Sequence, residues 1–262
     1  MNKREMLDRL SRCEEDRLLL GRVWDRYDQC RLKNLPSHTA FLTPQEQSLC
    51  RQLLQAMDVT EGYVFFGGYD GAERQQLHFL PDWLDEPEET VCALRCHWYQ
   101  SEGVSHRDLL GSLMGLGITR ESVGDILVAK EECSADVLTM DATAAFLLRE
   151  WTQAGRTAIK TEQISLHDLH LPQASFREIR DTVASLRLDS VVSSAFSVSR
   201  GRAAEFIQSG KVQINWQDTT KSDRSVSNGD VITVRGLGKC ELSDIGGPTR
   251  KGRWSVTIKR YT

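Results

Sequence analysis

Apolar residues fall at helical spacing through residues 1–60 and shift to strand-like alternation beyond. Between Glu14 and Leu32, Leu18, Leu19, Val23 and Tyr27 recur every three to four residues, the stripe of an amphipathic helix. Asn34, Pro36 and Ser37 break that pattern. Thr43-Pro44 then offers an N-cap with proline at the first helical position, and Gln47 completes a weak capping box. The helix runs to about Met57 and turns Leu49, Leu53, Leu54 and Met57 inward.

Strands follow at Gly62–Tyr69, Gln76–Leu80 and Thr90–Trp98, the last alternating Val91, Ala93, Arg95 and His97 against Cys92, Leu94 and Cys96. An acidic loop, Asp82 to Glu89, separates the second from the third. His106–Gly115 reads as a helix with Leu109, Leu110, Leu113 and Met114 on one side, ended by Gly115-Leu116-Gly117. Strands at Asp125–Ala129 and Ala135–Met140, a helix at Ala142–Trp151 and a strand at Gly155–Ile164 complete the middle segment. Two helices against a mostly antiparallel sheet predict an α+β, ferredoxin-like (RRM-like) domain over residues 61–166. Leu171-Pro172-Gln173-Ala174-Ser175 is a break, and residues 167–182 read as a linker.

From residue 183 to 262 the pattern is two short helices and a small sheet. Leu188, Val191, Val192 and Ala195 mark the first helix; Ser199 caps a second that buries Ala203, Phe206 and Ile207 and stops at Gly210. Lys211–Asn215 is a strand with Val212 and Ile214 inward. Asn228-Gly229 signals a tight turn into Asp230–Arg235, and Arg253–Lys259 alternates cleanly.

Composition narrows the class. The 262 residues are 40% hydrophobic and 27% charged, ordinary for a globular chain. No eighteen-residue apolar run and no N-terminal apolar stretch are present, so neither a spanning helix nor a signal peptide is expected. Seven irregularly spaced cysteines argue against a disulfide framework and for a reducing cytoplasm. The net charge of −4 hides an asymmetry: Val183–Thr262 holds 13 lysines and arginines against 7 acids, while residues 1–182 hold 20 against 30. A basic end on an acidic body fits a nucleic-acid-binding module or one that meets anionic proteins.

The run RLDSVV…SRGRAAEFIQSGKVQIN…K…VSNGDVITVRGLGK, about Arg187 to Lys239, resembles the S-four RNA-binding domain, named after the fourth small-subunit ribosomal protein. The resemblance implies that a basic face formed by the two helices reads structured RNA. Carried over, that surface falls on Arg187, Ser199, Arg200, Arg202, Lys211, Asn215 and Lys221, with Arg235 and Lys239 beside it. Arg200 and Arg202 open a helix, where free N–H groups and the dipole favour phosphate. Asp189 and Asp230 read as structural, orienting an arginine or holding a turn.

Upstream, GGYDGAERQQLHFLP and HRDLLGSLMGLGITRESVGDILV resemble the bacterial YlmH family over roughly Gly62 to Tyr261. Arg74, His106, Arg107, Arg120 and Lys130 are candidates for a second RNA-facing edge. Gly111 and Gly115 would allow close approach to the sheet, and Gly117 and Gly124 would mark tight turns. His106 and Asp108 read as a helix start rather than an acid–base pair, and Cys92 and Cys96 as core thiols rather than metal ligands. Leu186-Arg187-Leu188-Asp189 echoes a pseudouridine synthase motif without its leading glycine, and no phosphate-binding glycine loop appears. Catalytic residues, metal and cofactor are therefore not expected. The resemblance implies a cytoplasmic, ribosome-associated factor that binds large-subunit RNA and tRNA during quality control. An RNA-modifying enzyme, or a cell-division adaptor working through a protein partner of the acidic N-terminal part, are the alternatives.

Overall fold

In the computed structural model, which describes residues 2–99, 103–171, 176–249 and 252–261, the chain divides into two units, Met1–Pro172 and Gln173–Thr262. Helices α1 (Lys3–Leu10), α2 (Glu14–Lys33) and α3 (Pro44–Ala56) open the first. α1 starts in a capping box between Asn2 and Glu5, and α3 in one between Thr43 and Glu46 with Pro44 behind it. The partner in the second box is Glu46, not Gln47. Gln47 turns inward instead and donates to the Leu42 and Glu73 carbonyls.

Strands β1 (Ser37–His38), β2 (Tyr63–Phe66) and β3 (Gln76–Phe79) form a sheet in the order β1-β3-β2. The three helices bury Leu20, Val23, Leu53 and Leu54 with Leu77 and Phe79 of β3. The expected break at residue 60 is therefore not a break in the packing. β2 and β3, assigned from sequence to the middle domain, lie under the N-terminal helices, because their apolar side chains complete that core.

The rest of the unit comprises β4 (Val91–His97), α4 (His106–Gly115), β5 (Val123–Ala129), β6 (Ser134–Met140), α5 (Asp141–Glu150), β7 (Gln153–Ala154), β8 (Thr157–Ala158) and β9 (Lys160–Ile164). Four of these strands pair antiparallel in the order β5-β6-β4-β9, with β7-β8 a separate ribbon. This is the βαββαβ ferredoxin-like arrangement expected. On one face Leu94, Cys96 and Val137 pack against Leu109 and Leu113 of α4 and Leu147 and Trp151 beyond. The opposite face is also covered. Phe41, Val91, Ala93, Leu127 and Leu138 form a second core, closed by Phe66, Tyr69, Leu166 and Leu169. Within that face Asp136, fully buried, receives both Arg95 Nε at 2.6 Å and Nη2 at 2.7 Å. The His170 amide also donates to Asp136, and Arg95 reaches the Asp168 carbonyl, so the segment after β9 is tied across the sheet.

Two glycine expectations change. Gly111 and Gly115 meet nothing within 4 Å and sit on the exposed side of α4. The tight approach is at Gly124, inside β5, where a Cβ would stand 2.8 Å from the Phe41 ring.

The second unit comprises β10 (Phe176–Val183), α6 (Leu188–Phe196), α7 (Arg200–Gln208), β11 (Val212–Ile214), β12 (Gln217–Asp218), β13 (Val231–Val234), β14 (Gly238–Pro248) and β15 (Trp254–Tyr261). They form an antiparallel sheet ordered β10-β15-β14-β13-β11-β12, with both helices on one face over Val212, Ile214, Ile232, Leu242, Val256 and Ile258. Residues 176–182, read as linker, belong to strand β10, paired with β15 along its whole length. Four of its eight residues are charged and only Ile179 and Val183 pack against the core, which hid it from apolar patterning. β14 escaped notice because two register shifts interrupt its alternation. The break at 172–175 lies outside the described residues.

His78 of β3 is buried against His38, their rings stacked 5.5 Å apart. Burial first, and the neighbouring His38 second, pull its imidazole down to about 4. An unfolded chain binds a proton there near pH 6.5 that the folded unit refuses until about 4. Stability is thus full above 6.5 and falls as the pH drops to 4, by about 3 kcal/mol. Urea unfolding at pH 7 and pH 4.5 checks this: His78→Gln should flatten that part of the pH dependence.

Candidate RNA-binding surfaces

Two helix starts and one loop build the charged face of the second unit. No side chain caps α6; instead the 221–225 loop runs beside its first turn. The Leu188 amide donates to the Arg224 carbonyl at 2.8 Å and the Asp189 amide to Ser222 at 3.1 Å. Arg187 bridges Ser225. Lys221 and Arg224 are thereby brought beside Arg187. The Asp189 side chain, only 10% exposed, accepts Arg200 Nη2 at 2.9 Å and Arg187 Nε at 3.4 Å. Burial pushes its carboxyl up, but the Arg200 bond and the charges of Arg200 and Arg187 outweigh that and hold it below the usual carboxylate range. The carboxylate therefore stays charged and aims two guanidinium groups that remain about half exposed. A guanidinium fixed this way loses less freedom when its other donors meet a phosphate.

Arg202 leaves the opposite side of α7. It pairs with Glu205 at 2.6 Å and lies 4.8 Å from the Phe206 ring, which Lys211 approaches at 5.8 Å. Arg202 and Lys211 thus form a second pair across Phe206, and the Arg235 amide donates to the Lys211 carbonyl on the neighbouring strand.

Three of the expected contacts have other duties or places. The Ser199 hydroxyl accepts the Arg202 amide as the N-cap of α7. Both ends of the Asn215 amide are engaged, Nδ2 with Asp230 and Oδ1 with the Val231 amide, so Asn215 holds a turn. Lys239 alternates with buried Cys240 and points away from the helices, toward Trp216 and Tyr261. Arg224, not singled out from sequence, joins Lys221 because both belong to the loop beside α6.

In the first unit, Arg74 is buried and Arg120 half-buried, and both turn their guanidinium groups to backbone carbonyls. Arg74 donates to the Val123, Phe41 and Arg120 carbonyls. Arg120 caps the Val123 and Gly124 carbonyls from the same side. Asp125 completes the knot, accepting from the Tyr69 hydroxyl and the Glu73 and Arg74 amides. His106, Arg107 and Lys130 are exposed. Asp108 forms a capping box with Ser105 at the start of α4. Cys96 is buried and its thiol is pushed up to about 12 by burial. Cys92 is half-buried and its thiol is raised to about 11, again by burial first. Among the described residues no three metal-ligating side chains cluster.

A small antiparallel sheet bearing two helices whose first turns share a charged face defines an RNA-binding protein of the S-four type. Comparison with known proteins agrees. The family model described as "S4 domain" matches residues 186–232, and that described as "Putative RNA-binding domain in YlmH" matches residues 100–168. The "Ribosome-associated protein quality control protein P2" of Bacillus subtilis (strain 168) is 38% identical over 226 residues, covering 85% of this chain and 86% of that protein. The chain belongs to the YlmH family. A solved structure titled "Cell division protein ylmH from Streptococcus pneumoniae" is 19% identical and covers 61% of this chain and 97% of its own, with a TM-score of 0.48.

The two roles of arginine separate experimentally. Arg74→Ala leaves the buried Phe41 carbonyl without its donor and removes one of two donors from the Val123 and Arg120 carbonyls, and should lower the stability of the first unit by about 3 kcal/mol in urea unfolding, while the RNA affinity of the folded protein is unchanged. Weaker RNA binding at unaltered stability would return Arg74 to the interface.

Proposed function

We propose that this chain is a non-catalytic, ribosome-associated RNA-binding factor that grips an RNA helix of the large subunit, and tRNA held there, during translation quality control. The observation that carries this reading is the Asp189-bridged pair Arg187 and Arg200, set at two helix starts with Lys221 and Arg224 alongside. Such an array suits phosphates of an A-form helix, which is recognised by shape and backbone. The relative's name places that protein in ribosome-associated quality control, which supports the same setting here. The chemistry is charge neutralisation and shape readout, with no bond made or broken. No described helix is long and apolar enough to cross a membrane, consistent with work in the cytoplasm.

Sucrose-gradient sedimentation of lysate at low and high salt tests the reading. The parent should co-migrate with large subunits at low salt and dissociate as salt rises. Purified Arg200→Ala/Arg202→Ala should bind subunits at least tenfold more weakly, with the log–log salt slope reduced by about 1 per lost phosphate contact. Circular dichroism should be unaltered. Undiminished subunit binding by the double variant would sink this assignment of the surface.

A further inference from the structure

The sheet face that an RRM-like domain would offer to RNA is filled in this chain by Phe41, Phe66, Tyr69, Leu166 and Leu169. RNA contact by the first unit must therefore use another part of it. One end of the ferredoxin-like layer has the chemistry. The register sets His97 opposite both Ser134 and Lys160, and the Trp98 amide donates to the Cys133 carbonyl, so the end of β4, the β5–β6 turn and the start of β9 lie together. The β7–β8 turn lies beside the first turn of α4, where a Cβ on Gly155 would stand 3.2 Å from the Asp108 carboxylate.

A cavity of about 430 Å³ opens at this end, lined by His97, Trp98, Tyr99, Thr152, Ile159 and Lys160. Trp98 is nearly buried, whereas Tyr99 is 75% exposed with no ring or hydrogen-bond partner among the described residues. Of its lining residues Lys160 is an exposed cation, and Arg156, two residues before the lining Ala158, is exposed as well; neither makes an ion pair within the described residues. The nearby acids are mostly engaged: Asp108 with Ser105, Glu132 with His170, Glu162 with His97; Glu131 is the exception.

We propose that this cleft binds an unpaired RNA nucleotide, its base stacked on Tyr99 and its phosphates met by Lys160 and Arg156. The inference rests on the RNA-binding reading above and adds a second site of different chemistry. A base in a duplex is stacked on both sides and cannot enter such a cleft, whereas an unpaired one can. Stacking on an exposed aromatic beside cations is how single strands are held without strict sequence preference. Thr152 and His97 supply polar groups at the rim for a base edge.

The test uses the full chain with a labelled oligouridine and a labelled RNA hairpin, read by fluorescence anisotropy. Tyr99→Ala should weaken oligouridine binding about tenfold, Tyr99→Phe should preserve it, and Arg156→Ala/Lys160→Ala should lower its salt dependence. None of the three should change hairpin binding. Ultraviolet crosslinking with 4-thiouridine should mark the peptide containing Tyr99. Undiminished oligouridine binding by Tyr99→Ala, or crosslinks confined to α6 and α7, overturns the site and leaves the hairpin-binding function standing. A parent protein that binds neither probe overturns both.

Discussion

Burial of both faces of the β5-β6-β4-β9 sheet governs what the first unit can do. β6 lies at the centre, buried from Ser134 to Thr139. On its helix-free side, the face that also carries Leu138 and Ala93, the carboxylate of Asp136 is fully buried. An uncompensated charge there would cost several kcal/mol. The two-pronged Arg95 contact and the His170 amide neutralise and satisfy it. The same contacts draw the segment after β9 over the sheet. Arg74 acts similarly at the other edge, collecting carbonyls from two segments, Phe41 and the Arg120–Val123 stretch, while Asp125 collects the amides beside it. The two sheets of this unit are thus joined by buried, directional polar contacts as well as by the Phe41 and Leu138 core. The cost of that closure is an RRM-like layer without an open RRM-like face.

The second unit distributes its polar groups by the opposite logic. Its core is apolar throughout, from Val183 to Ile258, and its ionic network lies at the rim. Asp189 is the pivot: buried enough to interact strongly, yet facing two arginines that keep their outer donors in water. Ser199, Asn215 and Asp230 spend their hydrogen bonds on a helix cap and a turn. They shape the surface without belonging to it. Arginine and lysine remain outward because a guanidinium aimed by a carboxylate is already arranged for a phosphate, while a side-chain amide locked in a turn has nothing left to give.

The elements with strong periodicity were readable before any coordinates. Both helices of the second unit, the βαββαβ order of the middle layer, and the caps at Thr43 and Ser199 follow from local spacing and capping chemistry, which act within a few residues. Cap partners were less secure, since Glu46 rather than Gln47 closes the α3 box. β10 and β14 were missed because their pairing comes from β15, not from their own apolar pattern. The basic cluster at Arg187, Arg200 and Lys221 was legible through its motif, but Arg224 was not, as only the fold of the loop brings it alongside.

The motif from Arg187 to Lys239 marked the basic end by its resemblance to the S-four domain, while residue type and short-range order determined, from sequence alone, that this is an α+β chain. They did so because helix caps, turn glycines and alternating apolar positions are local. Tertiary structure alone decided which cations are available. Arg74 and Arg107 are the same residue type in neighbouring motifs, yet one is buried under three carbonyls and the other stands in solvent. That difference is set by long-range packing, where Arg74 meets Val123, 49 residues on, and Phe41, 33 residues back. No local pattern encodes it, because the desolvation that separates a structural arginine from a binding one exists only once distant segments close around the side chain.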